Sequence, residues 1–410
     1  MPSYLAPGVY IEEAPSGARP IEAVGTSTAA FVGVAPKADA RLNEAVRINN
    51  WSQFLREFST AEGTSTHLAQ AVYGFFLNGG RTCYVVNVGK DGAIVGDARE
   101  RRGLDALKAV DDIAIVAAPG YADSQSYEAL LAHCEGMKDR VAILDTVEEV
   151  ANVDLLTQVA AAKAPRRSKS AEGEAVPNAP ETAGLRPRQS DGGYGAVYYP
   201  WITTSNVFNA KELVNVPPSG HLAGIYARTD GTRGVHKAPA NESIRGAVNV
   251  AYAVTQEEQE RLNPNGINCI RFFPNEGVRV WGARTLAASA SEWRYINVRR
   301  LFNMIETSIV RNTRWVVFEP NDVSLWKNIR RDVSAFLRLL WRQGALMGQT
   351  PEEAFFVKAD EETNPPDEID AGRVNIVVGV APVKPAEFVI FRIGQGMAGA
   401  EVSNEGGGHA

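Results

Sequence analysis

From Asp112 to Ala164 the chain alternates between strand and helix patterns, and this alternation constrains the fold more than any other feature. Asp112 to Pro119 is an apolar run suited to a strand buried on both faces. Ser124 to Met137 has helical spacing, Arg140 to Thr146 is a second apolar run, and Val153 to Ala164 is a second helical stretch. Strands that alternate with helices pair in parallel, so the pattern predicts a small βαβ sheet with covering helices. A strand over Ala196 to Ile202 would complete it. Pro165 to Gly195 interrupts the pattern with Pro165, Pro177, Pro180 and Pro187 among polar residues, and reads as a solvent-exposed, mobile loop.

The flanks carry more structure. Ala29 to Val34 and Thr82 to Val88 read as strands, with helices opening near Ser52 and running from about Thr66 to Leu77 between them. Further on, Gly277 to Gly282 alternates like a strand, Val298 to Val310 reads as helix, and Trp315 to Phe318 as strand. A long helix follows from Val323 to Gln343, ending at Gly344. Thr350-Pro351-Glu352-Glu353 has the form of a capping box opening a short helix. Val374 to Val380 and Glu387 to Ile393 read as the last strands. At 410 residues, with 45% hydrophobic and 22% charged residues, the chain is globular and long enough for two or three domains.

Several function classes fall away. Lys plus Arg is 42 against 48 for Asp plus Glu, a net charge of −6, which argues against a dedicated nucleic-acid binder. Cys83, Cys134 and Cys269 are far apart and form no CxxC pair, which fits a reducing compartment. The five histidines show no metal-ligand spacing. The opening Met1-Pro2-Ser3-Tyr4 has no signal-peptide pattern, and the longest uncharged stretch, Gly192 to Ala210, is too polar to span a bilayer. Gly394-Gln395-Gly396-Met397-Ala398-Gly399 looks like a dinucleotide fingerprint, but the residues after Gly399 cannot supply the helix that would hold a pyrophosphate. Asp111, Asp112 and Asp145 flank strands and read as solvated caps. No catalytic, cofactor or metal set emerges.

Two features point to assembly instead. Trp326, Ile329, Val333, Phe336, Leu337, Leu340 and Trp341 give the Val323 to Gln343 helix one apolar face. On its far side Lys327, Arg331, Arg338 and Arg342 fall within about 60° of each other. Asp332 lies off this stripe, so a basic face in an acidic protein suits an acidic partner. Secondly, both ends carry strand-forming segments outside any evident domain, around Val9, Tyr10 and Ile11, and at Glu387, Phe388, Val389, Ile390 and Phe391. Free strands either fold back or complete a neighbour's sheet, and head-to-tail donation builds filaments.

The motifs themselves resemble the contractile tail sheath family of bacteriophages and phage-tail-like injection particles. The strings that carry the likeness are PGVYIEEAPSGARPIEAVGTSTAAFVG (Pro7 to Gly33), FFLNGGRTCYVVNV (Phe75 to Val88) and LAGIYARTDGTRGVHKAPAN (Leu222 to Asn241). They are joined by LNPNGINCIRFFPNEGVRVWGARTL (Leu262 to Leu286) and the blocks WRYINVRRLF, FEPNDVSLWKNI and KPAEFVIF between Trp293 and Phe391. The resemblance implies a mixed α/β fold: an inner α+β domain from 21–90 and 219–384, an inserted outer α/β domain over 91–218, and arms at 1–20 and 385–410. It implies a structural, non-enzymatic subunit that polymerises helically around an inner tube protein, with baseplate and tail-terminator proteins as further partners. On triggering, the sheath shortens and drives the tube through a target envelope. It further implies assembly in the bacterial cytoplasm, no cofactor, no nucleic-acid partner and no membrane insertion. In such sheaths a C-terminal-domain helix faces the tube, which makes Lys327, Arg331, Arg338 and Arg342 the expected tube contacts, with the short helix at Pro351 as the competing element. The alternative is a small-molecule enzyme using the central α/β region, for which the turn Ala117-Ala118-Pro119-Gly120-Tyr121 is a poor phosphate cradle.

Overall fold

The computed structural model describes residues 20–60, 63–90, 92–97, 99–160 and 184–390. In chain order the first elements are β1 (Ala29–Gly33), β2 (Val46–Ile48), α1 (Trp51–Phe58), α2 (His67–Leu77), β3 (Cys83–Asn87), β4 (Ile115–Ala117), α3 (Ser124–Met137) and β5 (Val141–Asp145). There follow β6 (Gly195–Tyr199), β7 (Ile202–Asn206), β8 (Asn209–Val216), α4 (Ser219–Arg233), β9 (Glu242–Ser243), β10 (Ala247–Val250), α5 (Gln256–Leu262), β11 (Ile267–Phe273) and β12 (Gly277–Trp281). The C-terminal part comprises α6 (Ile296–Asn312), α7 (Val323–Arg342), α8 (Pro351–Ala354), β13 (Phe355–Lys358), α9 (Pro366–Asp370) and β14 (Val377–Val380). The fold is mixed α/β.

A nine-stranded sheet organises the chain in the order β2-β3-β1-β4-β5-β6-β11-β12-β9. From β3 to β11 every neighbouring pair is parallel, and β2, β12 and β9 add antiparallel edges. Successive side chains alternate between two cores, as strand geometry requires. Ala29, Phe31, Ile115, Ile143 and Tyr198 face a core shared with Phe54, Phe75 and Tyr226 of α1, α2 and α4. Ala30, Val32, Val116, Leu144 and Val197 face one shared with Tyr127, Leu130 and Leu131 of α3.

This sheet runs across the expected division at 91 and 218. β4, β5 and β6 belong to the segment expected to form a separate domain, yet they lie between β1 and β11. Backbone pairing of β1 with β4 and of β6 with β11 leaves no boundary there. The packing divides elsewhere. A third core joins Ile21 and Val24, ahead of β1, to α6, α7, β13 and β14.

Local signals place most elements. Asp123 accepts from the Gln125 and Ser126 amides, at 3.0 Å each, and starts α3. Thr66 accepts from Ala69 N–H at 3.2 Å and starts α2. Ser52 does not cap α1; Asn50 does, accepting from Gln53 N–H at 2.9 Å. Residues 153–157 form a short 3-10 turn and the chain is extended at Gln158, so the helix expected over Val153 to Ala164 does not form as far as residue 160. Trp315 to Phe318 is not a strand: a 3-10 turn over Arg314–Val316 links α6 to α7. Of the expected loop, residues 165–183 lie outside the described residues. Residues 184–195 are fixed, with Arg188 forking onto Glu128 and Glu135.

Helices α2 and α4 cross closely because both are small at the contact. A Cβ on Gly220 would lie 2.3 Å from the Ala71 backbone, and one on Gly224 would lie 2.5 Å from the Phe75 carbonyl. Larger residues would separate the pair.

Candidate functional site

The third core presents three surfaces. The first is α7, capped by Asp322, which accepts from Leu325 N–H at 2.8 Å. Its buried face holds Leu325, Trp326, Ile329, Val333, Phe336, Leu337 and Leu340. Trp341 is half-buried and its indole N–H donates to Gly348 O at 3.0 Å. Lys327, Arg331, Arg338 and Arg342 are exposed, as the helical spacing predicts. Arg331 departs from the expectation of an unopposed stripe. Its Nε lies 2.9 Å from Oδ1 of Asp332, which is buried. Arg330, exposed beside the stripe, and Lys327 line a cleft with Asp360, Glu361 and Glu362. Arg338 and Arg342 have no carboxylate within ion-pair distance among the described residues.

The second surface is a two-stranded antiparallel sheet in which β13 and β14 pair from Phe355↔Val380 to Lys358↔Val377. Neither strand has a second partner among the described residues. Phe356 and Val377 are exposed on it. The box expected before it does not form: Thr350 makes no side-chain cap, and Glu353 instead accepts from Gln349 N–H at 2.8 Å.

The third surface is the chain after β14. Val383 N–H donates to Ala345 O at 3.3 Å, and Val383 O accepts from Asn297 Nδ2 at 3.2 Å. Glu387 is then held by Arg284, Asn263 and Tyr295. Phe388, Val389 and Ile390 follow with 72%, 70% and 80% exposure, which is extreme for apolar side chains. Residues 387–390 form no strand here, and Glu387 is anchored rather than free because a buried guanidinium takes its carboxylate. Val9, Tyr10, Ile11 and Phe391 lie outside the described residues, as does the glycine string at Gly394.

The crevice at the carboxyl ends of the parallel strands is where an α/β enzyme would bind a ligand. Here the chain fills it. Gly120 N–H donates to Asp145 Oδ2 at 3.2 Å. At the start of α4, Ser219 donates to the same carboxylate from its amide at 2.9 Å and its hydroxyl at 2.6 Å. The turn and helix end that could hold a phosphate therefore already hold an internal carboxyl. Burial pushes Asp145 up to about 7, against the three hydrogen bonds, which act to lower it. Trp201 covers the site, donating from Nε1 to Thr146 O at 2.7 Å. Cys83, Cys134 and Cys269 are buried free thiols, and among the described residues no group of three His, Cys, Asp or Glu could hold a metal. Among the described residues no helix is long and apolar enough to cross a membrane.

Two family models match this chain: the phage tail sheath protein central domain over residues 120–286 and the phage tail sheath C-terminal domain over 288–395. The helical sheath of the anti-feeding prophage, solved in its contracted state, is 33% identical, with a TM-score of 0.73 over 96% of this chain and 100% of that one. The chain belongs to the contractile tail sheath family. A second sheath, the contracted PVC sheath complex of an extracellular contractile injection system, is 31% identical, with a TM-score of 0.75 over 96% of this chain and 99% of that one. A Pseudomonas aeruginosa (strain UCBPP-PA14) protein named as a prophage major tail sheath protein is 29% identical over 181 residues, 43% of this chain. That match spans 45% of the relative's own length, so the chain matches less than half of it.

The helical spacing put Lys327, Arg338 and Arg342 on the exposed side of α7, Arg331 leans onto Asp332, and two buried arginines of α6 went unread. Arg299 and Arg300 sit side by side in α6, and both are buried. Arg299 lies 4.0 Å from the Trp293 ring centre and donates to Asn303 at 2.8 Å. Two adjacent arginines at core-facing positions were the available signal.

Proposed function

We propose that this chain is the repeating subunit of a contractile sheath. Copies stack as helical rings around an inner tube and shorten on triggering at a baseplate, with no chemical step of their own. The observation that carries this reading is the pairing of an open acceptor with an open donor. Among the described residues the β13–β14 sheet has unpaired edges, and a short two-stranded sheet is marginal alone. Further along the chain, beyond β14, Phe388, Val389 and Ile390 are exposed. A neighbour's arm added to β13 or β14 would satisfy both, and repeated head-to-tail donation does not close. Such strands keep their main-chain hydrogen bonds while the bodies they join rotate, which suits a lattice with two packings.

In this reading the third core is the inner layer and the body around the nine-stranded sheet is the outer one. Lys327, Arg338 and Arg342 of α7 face an acidic tube surface, with Arg331 drawn partly aside by Asp332. Exposed charges make weak, screened contacts, which suits a sheath that must release its tube. A tube protein, a baseplate and a terminating cap are the partners, and the particle is assembled in the bacterial cytoplasm. The enzyme alternative has less support, because Asp145 occupies its anion position. Thermal stabilisation by added nucleotide would revive it.

Truncation tests the reading. Removing the residues before Ala18, or those after Val383, leaves a folded monomer that does not polymerise. Sheaths of normal length from either truncation would refute the arm assignment.

A further inference from the structure

The carboxylate of Glu387 has an unusually complete receptor. Oε1 accepts from Arg284 Nε at 2.8 Å and Asn263 Nδ2 at 2.7 Å. Oε2 accepts from Arg284 Nη2 at 2.7 Å and Tyr295 OH at 3.0 Å. The arginine contact is bidentate, the geometry that gives a charged pair both strength and direction. The three donors come from separate segments: the end of α5, the residues after β12, and the cap of α6.

The receptor is rigid because it is wired into the large sheet. Arg284 is buried, and its backbone N–H and C=O are both held by the Asn268 side chain, at 2.7 Å each. Asn268 lies in β11, is fully buried, and also donates to Val197 O of β6 at 3.1 Å. The C-terminal segment belongs by chain order to the third core, yet Glu387 fastens it to the α/β body. Immediately beyond this fastening the chain is exposed.

We propose that Glu387 is the positioning residue of the C-terminal arm, its clamp by Asn263, Arg284 and Tyr295 fixing where and in which direction the arm leaves the subunit. The donated stretch then begins at Phe388, and Glu387 stays with its own subunit. Strand pairing is sensitive to register, since a slip of one residue exchanges the two faces. Phe388 and Ile390 would meet one side of the acceptor and Val389 the other. A fixed root sets that register before the neighbour arrives and limits the entropy lost on docking. Glutamate suits the role: aspartate falls short of the fork, and glutamine loses the charge and one accepting oxygen.

This inference rests on the sheath reading, so the experiment separates the two. Full-length Glu387→Ala and Glu387→Gln are compared with wild type and with the truncation after Val383. Thermal midpoint, sedimentable polymer and sheath length by electron microscopy are measured on each. A nitroxide on Phe388→Cys reports arm mobility, and the native thiols are all buried. The expected result for Glu387→Ala is a folded monomer, a sharpened nitroxide spectrum, and polymer affinity weakened at least about tenfold, equivalent to about 1.4 kcal/mol. Glu387→Gln falls between it and wild type. A polymer loss that only tracks a lowered melting midpoint, with the label unchanged, would mean the clamp is merely structural. Normal polymer from Glu387→Ala while the truncation fails would overturn the positioning role and leave the sheath reading intact. Normal polymer from the truncation would overturn the positioning role and the arm assignment, and absence of polymer from the wild type under the same conditions would overturn the sheath reading itself.

Discussion

Arg300 and Asp230 form a two-pronged ion pair, at 3.0 and 2.5 Å, with side chains 3% and 4% exposed. The pair joins α6 of the third core to α4 of the α/β body. Thr26 completes it, donating to Asp230 at 2.6 Å and accepting from Arg300 at 3.0 Å through its carbonyl. Arg300 also lies 4.7 Å from the ring centre of Tyr226, whose hydroxyl meets that of Tyr198 at 2.7 Å. The segment before β1, the helix layer and the sheet therefore meet at one buried charge pair.

Removing one partner strands the other charge, so Asp230→Asn or Arg300→Met lowers stability by about 3–5 kcal/mol. Urea unfolding measures this. A double variant, Asp230→Leu with Arg300→Met, recovers part of the loss, because no unpaired charge remains.

The α2–α4 crossing gives a second prediction. Gly224→Ala forces a Cβ against the Phe75 carbonyl, 2.5 Å away in the present packing. Overpacking of this kind costs about 1–3 kcal/mol. Gly231, with nothing near its Cβ position, is the control, and Gly231→Ala leaves stability unchanged or raised. Thermal melts of the two variants provide the comparison.

A third prediction concerns pH. His133 of α3 is buried and neither ring nitrogen finds a partner among the described residues. Burial pushes it down to about 4, helped by Arg140 and Lys108 and opposed by Asp105. The unfolded ring takes its proton first, near pH 6.5, so this contribution is complete above that pH and is lost as pH falls toward 4. Its size is on the order of 3 kcal/mol. Asp145, raised to about 7, tilts stability the other way between pH 3.8 and 7. Comparing wild type with His133→Leu cancels that common slope. The variant gains relative stability as pH falls from 6.5 to 4, measured by urea unfolding at fixed ionic strength.

The basic face of α7 gives a fourth. Charge reversal at Arg338 and Arg342, which lack ion-pair partners among the described residues, weakens sheath–tube association more at low salt than at high salt. Reversal at Arg331 has a mixed effect, since it also disturbs buried Asp332. Co-sedimentation with tube across a salt series checks this. A loss independent of salt would indicate misfolding.

The secondary structure was legible wherever one signal dominated. α3 spans Ser124–Met137 as read, because Asp123 caps it and Lys138, at φ +62°, ends it. α7 was equally clear from its apolar spacing. Val316 and Val317 favour a strand by propensity, but they lie in a short connection that pairs with no strand among the described residues, and the turn won. The continuity of the large sheet was not legible, because the three-residue strand β4 gives no hint that it pairs with β1, more than eighty positions earlier. The stripe was read by angle alone. Neighbouring residues do not normally face each other on a helix, yet the Arg331 side chain is long enough to reach back to Asp332. The Glu387 clamp left one trace, a lone acid at the head of an apolar segment, and its three donors are distant in sequence.

Self-assembly is the central claim, and negative-stain electron microscopy of the purified full-length chain tests it most directly. The account predicts hollow, striated tubes of uniform width, formed alone or on addition of the cognate tube and baseplate. Monodisperse monomers that persist in the presence of both would contradict it.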